Sequence, residues 1–526
     1  MMTSLCRFGM CCRWICRRRH KGGISDAFKQ REDSVNQAPT RRLSNLVLGS
    51  VAKPIETPLY DRSSVTAGIV HLGLGAFHRA HQAAYVDACI NAGEAGWGIV
   101  GISLRSADTR DALHPQDGLY TLAVGDGDGE SLQVIGSIVR TLVAPDDPGA
   151  VIAELSNPSI RIVTLTVTEK AYLRNAAGGL DTSHGGIQWD LANPDRPQTL
   201  YGFLAEALVR RRLAGTPPFT VLCCDNLPAN GATLRRLMIG FFALRGQEQL
   251  GQSGLDVAFP SCMVDRIVPA TTDGDRARIS AKLGADDAWP VITEPFSQWV
   301  IEDHFPTGRP DWERFGVTMV DDVGASELMK LRLLNGAHSG IAFLGLLSGH
   351  ETVAEAFADV AIRGFIDALW SEAVLTLPND AGLDTTRYTQ ELAKRFSNTA
   401  LQHRIAQIAN DSSQKLPQRI ISSALERAEK GLGIDHLMLV VAAWVACCAA
   451  RGGTFAKDHF TDPLDDRLAE IAANRLPAEA IGQAFEAAGF AKDSAHRATL
   501  IGVAAAHLKA IQANGIAATL AHIKEN

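Results

Sequence analysis

The first 325 or so residues alternate short apolar segments with helical patterns, and this alternation constrains the fold more than any other feature. Apolar segments rich in β-branched residues at positions 67–72, 97–104, 160–167 and 219–223 predict strands, and periodic apolar positions over 200–213 predict one of the helices between them. Continuously apolar strands separated by helices are typical of a parallel sheet covered on both faces. We therefore predict an α/β fold with a Rossmann-type, doubly wound N-terminal domain over residues 46–325.

The second part of the chain has a different character. From Glu327 onward, alanine- and leucine-rich segments of helical period dominate, and β-branched strand patterns are scarce. We predict a mostly α-helical C-terminal domain over residues 326–526, since a chain of 526 residues is too long for one ordinary core. The apolar run 437–450 is shorter than the roughly 20 residues that span a bilayer, so it predicts a buried helix and no membrane partner.

Composition excludes several other classes. The formal net charge of −7 argues against nucleic acid as a main partner. The ten cysteines form no paired C-x-x-C pattern, which argues against structural zinc and favours buried thiols in a reducing, cytoplasmic setting over disulfides.

Residues 1–45 are basic, contain four of the cysteines and lack the apolar core of a secretory signal. We interpret them as a disordered extension; an organelle-targeting peptide is the alternative, because no acidic residue precedes Asp26.

A glycine turn follows the first predicted strand. Gly73 and Gly75 stand before a helical pattern, where a Gly-x-Gly turn lets the backbone approach a pyrophosphate. The third glycine of the full dinucleotide fingerprint is replaced by His78. Arg105 and Asp108 follow the second strand, where an acidic side chain favours NAD and an arginine favours NADP, so residue chemistry alone leaves the choice of cofactor open.

The segment 327–338 is apolar enough to be buried, yet it carries Glu327, Lys330, Asn335 and His338. At about 100° per residue, His338 lies about 80° and Asn335 about 140° around an α-helix from Lys330, so the three could line one cleft. A buried lysine whose pKa falls toward neutrality can accept the proton of a secondary alcohol during hydride transfer, and asparagine amides can polarise the matching ketone. A surface lysine and a structural histidine are the alternative interpretation.

Five motifs in order resemble the mannitol dehydrogenase family, the long-chain, zinc-independent polyol dehydrogenases. They are HLGLGAFHRAH (71–81), TVTEK (166–170), CDN (224–226), VDRIVP (264–269) and the Lys330, Asn335, His338 set. The resemblance covers the chain from about residue 60 to the C-terminus. It implies a Rossmann-type domain, a helical domain, a cleft between them and no metal.

The resemblance also implies roles for individual residues. Lys330 would be the general acid/base, Asn226 and Asn335 the pair that polarises the substrate oxygen, and Glu327 part of a proton path. His338 and Asp265 would bind substrate. Cofactor contacts would come from Gly73, Gly75, Ala76, Phe77, Arg105 and Asp108. Asp108 falls where NAD-preferring members carry their ribose-binding aspartate, which favours NAD, although the preceding Ala107 is often acidic in them.

Within the family, residues 398–404 and 413–419 resemble the fructuronate reductase branch. A carboxylate substrate needs cations, and His403, Arg404, Lys415 and Arg419 supply them. The sequence Asp411-Ser-Ser413 departs from the Asp-Gly-Ser of the branch, which would reshape the loop if the glycine held a positive φ.

We therefore expect a monomer or weak oligomer that reduces D-fructuronate to D-mannonate with NADH, reversibly. Mannitol 2-dehydrogenase activity is the main alternative, with D-arabinitol or a tagaturonate/altronate pair behind it. A non-catalytic NAD-sensing protein is a rival from another class, but it would need no acid/base. A zinc alcohol dehydrogenase lacks its cysteine ligands here.

Overall fold

A five-stranded, fully parallel sheet organises the N-terminal half of the protein in the computed structural model. The structure describes residues 41–127, 129–175, 177–247, 257–378, 382–449, 460–473 and 476–525, and the chain from Arg42 onward forms one compact unit. The strands are β1 (Ala67–Leu72), β2 (Gly98–Ser103), β3 (Tyr120–Gly125), β4 (Glu130–Ile135), β5 (Ile138–Val143), β6 (Ile162–Leu165), β7 (Thr220–Cys223), β8 (Cys262–Asp265), β9 (Val291–Thr293), β10 (Gln298–Glu302) and β11 (Thr318–Val320).

The order of the main sheet is β5-β2-β1-β6-β7. All four strands predicted from the apolar segments lie in this sheet, and their parallel pairing confirms the predicted Rossmann-type class. Strand β5 was not predicted. The protein has two further sheets, each of three strands and mixed, with the orders β4-β3-β9 and β8-β10-β11.

Helices fill the connections and almost all of the C-terminal half. They are α1 (Ala76–Ala80), α2 (Gln82–Asn91), α3 (Asp108–Leu113), α4 (Pro148–Ser156), α5 (Gly185–Ala192), α6 (Leu200–Leu213), α7 (Asn230–Leu244), α8 (Asp273–Leu283), α9 (Gly324–Met329), α10 (Gly336–Ser348), α11 (Val353–Ala358), α12 (Val360–Val374), α13 (Thr385–Phe396), α14 (Ile405–Ala409), α15 (Ser412–Leu416), α16 (Ser422–Glu429), α17 (Asp435–Ala449), α18 (Asp465–Ala473), α19 (Pro477–Ala488) and α20 (Arg497–Glu525). Two π-helical segments, Lys330–Asn335 and Pro417–Ile421, interrupt this half.

The sheet is covered on both faces, as its apolar strands require. Along β1, Val70 joins the core cluster that contains Phe203 of α6 and Phe241 of α7. The neighbouring Ile69 points the other way and joins the cluster that contains Val86 of α2. Because side chains alternate along a strand, both faces of β1 are buried, and the doubly wound prediction holds.

Local chemistry explains why α6 has the predicted bounds. The Thr199 side chain accepts a hydrogen bond from the Gly202 N–H and so caps the first turn. Three arginines in the last turn, Arg210, Arg211 and Arg212, place positive charge at the negative end of the helix dipole.

The described strands end at Val320, and the described chain beyond it is helical, as predicted. The apolar run predicted to be a buried helix is α17, in which every residue from Leu437 to Cys448 is buried. Among the described helices, none is both long and apolar enough to cross a membrane.

The extension predicted over residues 1–45 lies mostly outside the described residues. Its last residues differ from the prediction: Leu43 is fully buried, and its backbone N–H donates to the Asp286 carbonyl at 2.9 Å. The apolar side chain of Leu43 completes a core cluster that the sequence pattern gave no reason to expect there. The six described cysteines are all buried.

Candidate active site

A cleft of about 470 Å³ lies at the carboxyl edge of the parallel sheet. Its walls include Gly75 after β1, Thr166 after β6, Asn226 after β7 and Asp265 at the end of β8. Strand order reverses at β1, which has β2 on one side and β6 on the other, and doubly wound folds bind their ligands at such a point. The helical half contributes Lys330, Asn335, His338 and His403.

The two glycines of the turn have different roles. Gly73 has φ 94°, and a Cβ there would lie 2.1 Å from the Thr166 carbonyl oxygen, so the backbone itself requires glycine. A Cβ at Gly75 would meet nothing nearer than 3.7 Å. Gly75, Ala76 and Phe77 line the cleft, so the predicted cofactor-binding turn leaves open space where a dinucleotide would need it.

His78, which replaces the third glycine, is fully buried and stacks on His71 with 3.4 Å between ring centroids. The His71 ring nitrogens contact the hydroxyls of Thr164 at 2.7 Å and Thr166 at 2.9 Å, and burial lowers the pKa of His71 to about 3. The neutral His71 thus ties β1 to β6 and to the residue that follows it, next to the glycine turn. This contact was not predicted, although the spacing of the histidines in residues 71–81 is visible in the sequence.

Lys330 lies on the floor of the cleft and is only 7% exposed. Its Nζ donates to the Asn226 Oδ1 at 2.6 Å. Burial lowers the pKa of Lys330, the nearby charges of Arg419 and Arg395 lower it further, and Asp265 opposes them. The predicted acid/base therefore has the environment that its chemistry needs.

Asn335 reaches the cleft by a route that differs from the sequence expectation. Lys330–Asn335 is π-helical, so its hydrogen bonds close i→i+5 turns in place of α-helical ones. A π-helical turn holds more residues than an α-helical turn, so Asn335 lies closer to the face of Lys330 than the roughly 140° that α-helical geometry gives. Both residues line the cleft.

His338 follows on α10 and is 7% exposed. Its ring packs against Phe396 at 4.9 Å and His403 at 5.4 Å between centroids, and its Nε2 has no hydrogen-bond partner among the described residues. Burial, together with His403, holds the pKa of His338 well below its ordinary value. The imidazole is therefore neutral, and His338 is one of the residues that line the cleft.

Asp265 is at the cleft, but its carboxylate already has partners. Arg395 donates to both of its oxygens at 2.7 and 2.8 Å, and the Tyr388 hydroxyl donates at 3.0 Å. Arg395 also donates twice to Glu294, at 2.8 and 2.9 Å. Burial alone would raise the pKa of Asp265, but Arg395 holds it below its ordinary value. We call Asp265, Glu294, Tyr388 and Arg395 the closed charge network; sequence reasoning found only its first member.

Glu327 lines a narrow pocket of about 30 Å³ beside the cleft, together with Asn226, Lys330 and Asn335. Its carboxylate accepts from the Ala229 N–H at 3.1 and 3.2 Å, next to the start of α7. Burial raises the pKa of Glu327, which suits a group that exchanges protons with Lys330.

Asp225 holds the other wall in place. Its carboxylate accepts from the backbone N–H groups of Val167 and Thr168 at 2.9 and 3.0 Å and from the Tyr172 hydroxyl at 2.6 Å. The loop after β6 is thereby fixed beside Asn226. Asp225 belongs to the CDN motif of residues 224–226, and its carboxylate supports the cleft wall through these contacts.

The remaining predicted residues lie elsewhere. Arg105 and Asp108 are exposed and follow the carboxyl end of β2, with Asp108 opening α3. Arg404 is not brought into the cleft: its side chain is 52% exposed and lies 3.6 Å from the Glu351 carboxylate. The Lys415 Nζ donates to the Asn410 carbonyl at 2.6 Å, and burial lowers the pKa of Lys415 to about 8.

The loop at Asp411-Ser-Ser413 is not reshaped by the serine that replaces glycine in the fructuronate reductase branch. The positive φ of 54° belongs to Asp411, and Ser412 begins α15 with its hydroxyl donating to the Ala409 carbonyl at 2.7 Å. A serine is accommodated because the left-handed residue precedes it. Within the described residues, no group of three or more His, Cys, Asp or Glu side chains is arranged to hold a metal ion.

Together, the parallel sheet, the glycine turn at its switch point and the buried lysine define a Rossmann-type oxidoreductase. The Mannitol dehydrogenase Rossmann domain matches residues 67–314, and the Mannitol dehydrogenase C-terminal domain matches residues 322–512. The chain belongs to the mannitol dehydrogenase family.

Similar proteins agree with this assignment. An uncharacterised oxidoreductase of Escherichia coli is 42% identical over 81% of this chain and 88% of its own. A mannitol 2-dehydrogenase of Aspergillus fumigatus is 41% identical over 81% of this chain and 85% of its own. The solved mannitol 2-dehydrogenase of Pseudomonas fluorescens, a ternary complex with NAD and D-mannitol, is 36% identical, covers 92% of this chain and 100% of its own, and has a TM-score of 0.83.

Proposed function

We propose that the protein catalyses reversible hydride transfer between NAD and a linear keto sugar acid, with D-fructuronate and D-mannonate as the pair. The observation that carries the reaction type is the buried Lys330 in hydrogen-bond contact with Asn226 on the floor of the cleft. Its lowered pKa allows the amine to take the hydroxyl proton of D-mannonate, and the ammonium to return a proton to the ketone of D-fructuronate.

Asn226 is oriented by the same contact. Its Oδ1 accepts from Lys330, so its amide N–H groups remain to donate to the substrate oxygen. Asn335 lines the same cleft with a second amide. Two amides that converge on one oxygen stabilise the charge that develops there during transfer.

His338 positions the substrate but does not donate or accept a proton in the reaction. Its pKa lies well below neutrality, so it hydrogen-bonds a substrate hydroxyl as a neutral ring. Glu327, with its raised pKa and its place in the adjoining pocket, connects Lys330 to solvent protons.

The cofactor site uses the turn after β1. When bound, NAD supplies the hydride acceptor, and its reduced form supplies the hydride donor. Gly73, Gly75, Ala76 and Phe77 would hold the phosphates, because the backbone there is free of side-chain obstruction at Gly75. Asp108, which opens α3 in the segment after β2, would hold the ribose hydroxyls and favour NAD, with Arg105 in the same segment.

Two observations support an acidic substrate. Residues 398–404 and 413–419 resemble the fructuronate reductase branch, and the charge of Arg419 in that segment acts on Lys330. Glu169, which lines the cleft, acts on both Lys415 and Arg419, so these two cations are close to the cleft wall.

Mannitol 2-dehydrogenase activity is the second candidate. It is favoured by the 41% identity to fungal mannitol 2-dehydrogenases and by the 0.83 TM-score to the Pseudomonas fluorescens enzyme. The shared reaction machinery serves a neutral ketose equally well, so the two candidates differ only in how the far end of the substrate is bound.

Steady-state kinetics with NADH separates the candidates. D-Fructuronate, D-tagaturonate and D-fructose are compared at one pH and ionic strength. We expect kcat/KM for D-fructuronate to exceed that for D-fructose by about 10-fold or more, because a site built for a charged group discriminates against a substrate that lacks it. A clearly higher kcat/KM for D-fructose assigns the protein to mannitol 2-dehydrogenase activity, and no turnover of any of the three favours the sensing alternative.

A further inference from the structure

The π-helical segment Pro417–Ile421 places an arginine beside the catalytic lysine. This segment packs against the end of the other π-helical segment: a Cβ on Gly336 would lie 3.2 Å from the backbone oxygen of Arg419. The Arg419 Nη1 is 3.4 Å from the hydroxyl of Ser339, the neighbour of His338. Its positive charge is among those that lower the pKa of both Lys330 and His338.

The hydrogen-bonding capacity of Arg419 is almost unused. A guanidinium has five N–H donors, and buried donors in folded proteins normally have partners. Here the long contact to Ser339 is the one hydrogen bond of the side chain within the described residues, and the Nε is buried without a partner. No carboxylate of the described chain forms an ion pair with it.

The buried arginines Arg395, Arg211 and Arg427 differ from Arg419. Arg395 makes four hydrogen bonds to two carboxylates. Arg211 donates to four backbone carbonyls, and Arg427 donates to two. Arg419 is half-buried and makes a single long hydrogen bond, so its guanidinium keeps donors for a ligand.

The remaining cations of the predicted cluster do not offer the same opportunity. Lys415 already donates to the Asn410 carbonyl at 2.6 Å, and Arg404 lies at the surface beside Glu351. Burial lowers the pKa of Arg419 only to about 10, so it stays charged near neutrality. Its planar fork matches a carboxylate, which accepts two parallel hydrogen bonds.

We infer that Arg419 binds the carboxylate of the substrate and thereby selects keto sugar acids over neutral ketoses. This inference rests on the proposed function, since it names the residue that recognises the acid end while the ketone sits at Lys330. Glu169 acts on Arg419 electrostatically but forms no ion pair with it within the described residues, so a bound carboxylate would give Arg419 its first direct ionic contact. Glu169 and Lys330 both line the cleft, and a linear sugar acid would extend from Lys330 toward Arg419 along that wall.

The test compares Arg419→Gln, Arg419→Lys and a matched control, Arg404→Gln, with D-fructuronate and D-fructose as substrates and NADH as donor. For Arg419→Gln we expect kcat/KM for D-fructuronate to fall about 10- to 100-fold, mostly through KM, because one charge-assisted bidentate contact is lost. D-Fructose kinetics should change less than about 3-fold, which lies within the usual scatter of substitutions that do not touch the substrate. Arg419→Lys should fall between wild type and Arg419→Gln for D-fructuronate alone, and Arg404→Gln should leave both substrates unchanged.

The outcomes are separable. If wild type prefers D-fructose, the proposed substrate is wrong, whatever the variants do. If wild type prefers D-fructuronate but Arg419→Gln lowers kcat/KM equally for both substrates, Arg419 has a structural role and the inference is overturned. If Arg419→Gln does not fold, Arg419→Lys decides, since a lysine that keeps full selectivity for D-fructuronate contradicts recognition by the guanidinium fork.

Discussion

The two sides of the cleft differ in how the positive charges of their side chains are paired. On one side, Arg395 belongs to the closed charge network, in which it forms ion pairs with the carboxylates of Asp265 and Glu294. On the other side, Lys330 has one amide partner, and Arg419 has one long contact. Lys330 is as buried as Arg395, at 7% exposure, whereas Arg419 is half-buried, so exposure alone does not explain the difference.

The difference separates structural from functional charge. A buried ion pair whose hydrogen bonds are all satisfied adds rigidity, and removing one member leaves the others unbalanced. A cation without a directly paired carboxylate has hydrogen-bonding capacity left for a ligand. We therefore propose that the Arg395 side shapes the cleft and that Lys330 and Arg419 act on the substrate.

The largest expected effect is at Lys330. Lys330→Ala should lower kcat at neutral pH by about 10³- to 10⁴-fold, because it removes general acid/base catalysis. Thermal unfolding is measured alongside, and its midpoint should stay close to that of wild type. Near-normal turnover in this variant would remove the lysine from the mechanism.

The second effect concerns stability. Arg395→Met should lower the free energy of unfolding by about 3–5 kcal/mol, because Asp265 and Glu294 would be left buried without their cation. Arg419→Met is the matched substitution at an arginine without an ion pair, and it should change the free energy of unfolding by less than about 1 kcal/mol. Urea denaturation of both variants measures the contrast, and equal losses would mean that Arg419 is as structural as Arg395.

The third effect is a pH dependence. Burial lowers the pKa of Lys330, so its neutral form is present above a value lower than the ordinary lysine pKa of about 10.4. For alcohol oxidation, kcat/KM should rise with pH through that lowered pKa and then level off; for ketone reduction, it should fall through the same pKa. Profiles in both directions that show no inflection below about pH 10 would contradict a buried acid/base lysine.

The smallest effect is at the surface. Arg404→Ala should change stability by less than about 1 kcal/mol and leave KM for D-fructuronate unchanged, because an exposed ion pair contributes little. An increase in KM specific to D-fructuronate would show that Arg404 reaches the substrate during turnover and would weaken the contrast between the two sides.

Much of the fold followed from local patterns. Apolar residues recur at regular intervals along a strand or helix, and this pattern is visible in consecutive residues. It predicted the strand at residues 67–72, the helix at 200–213 and the buried helix near 437–450. Strand β5 was missed because Arg140 and Thr141 interrupt its apolar run, and its pairing with β2 cannot be deduced from a local pattern. The burial of Leu43 was missed because it depends on Asp286, more than 240 residues away.

The candidate site divides in the same way. Lys330, Asn226 and His338 were named from residue chemistry and motif resemblance, and the structure brings them to one cleft. Asn335 reached it through a π-helical turn that no sequence pattern signalled. Arg404 was named as a cation of the site, but a charge alone does not tell which way a side chain points.

The sequence by itself determined the class of this protein: a parallel-sheet dehydrogenase of the mannitol dehydrogenase family with a lysine in its cleft. Strand periodicity, turn glycines and residue chemistry are local properties, so they can be deduced without coordinates. Only the tertiary structure decided which buried charges are balanced, because the partners are far apart in the chain: Arg395 and Asp265 are separated by 130 residues, and Lys330 and Asn226 by 104. That long-range pairing leaves Arg419 with unused donors and makes it the residue on which substrate choice is proposed to depend.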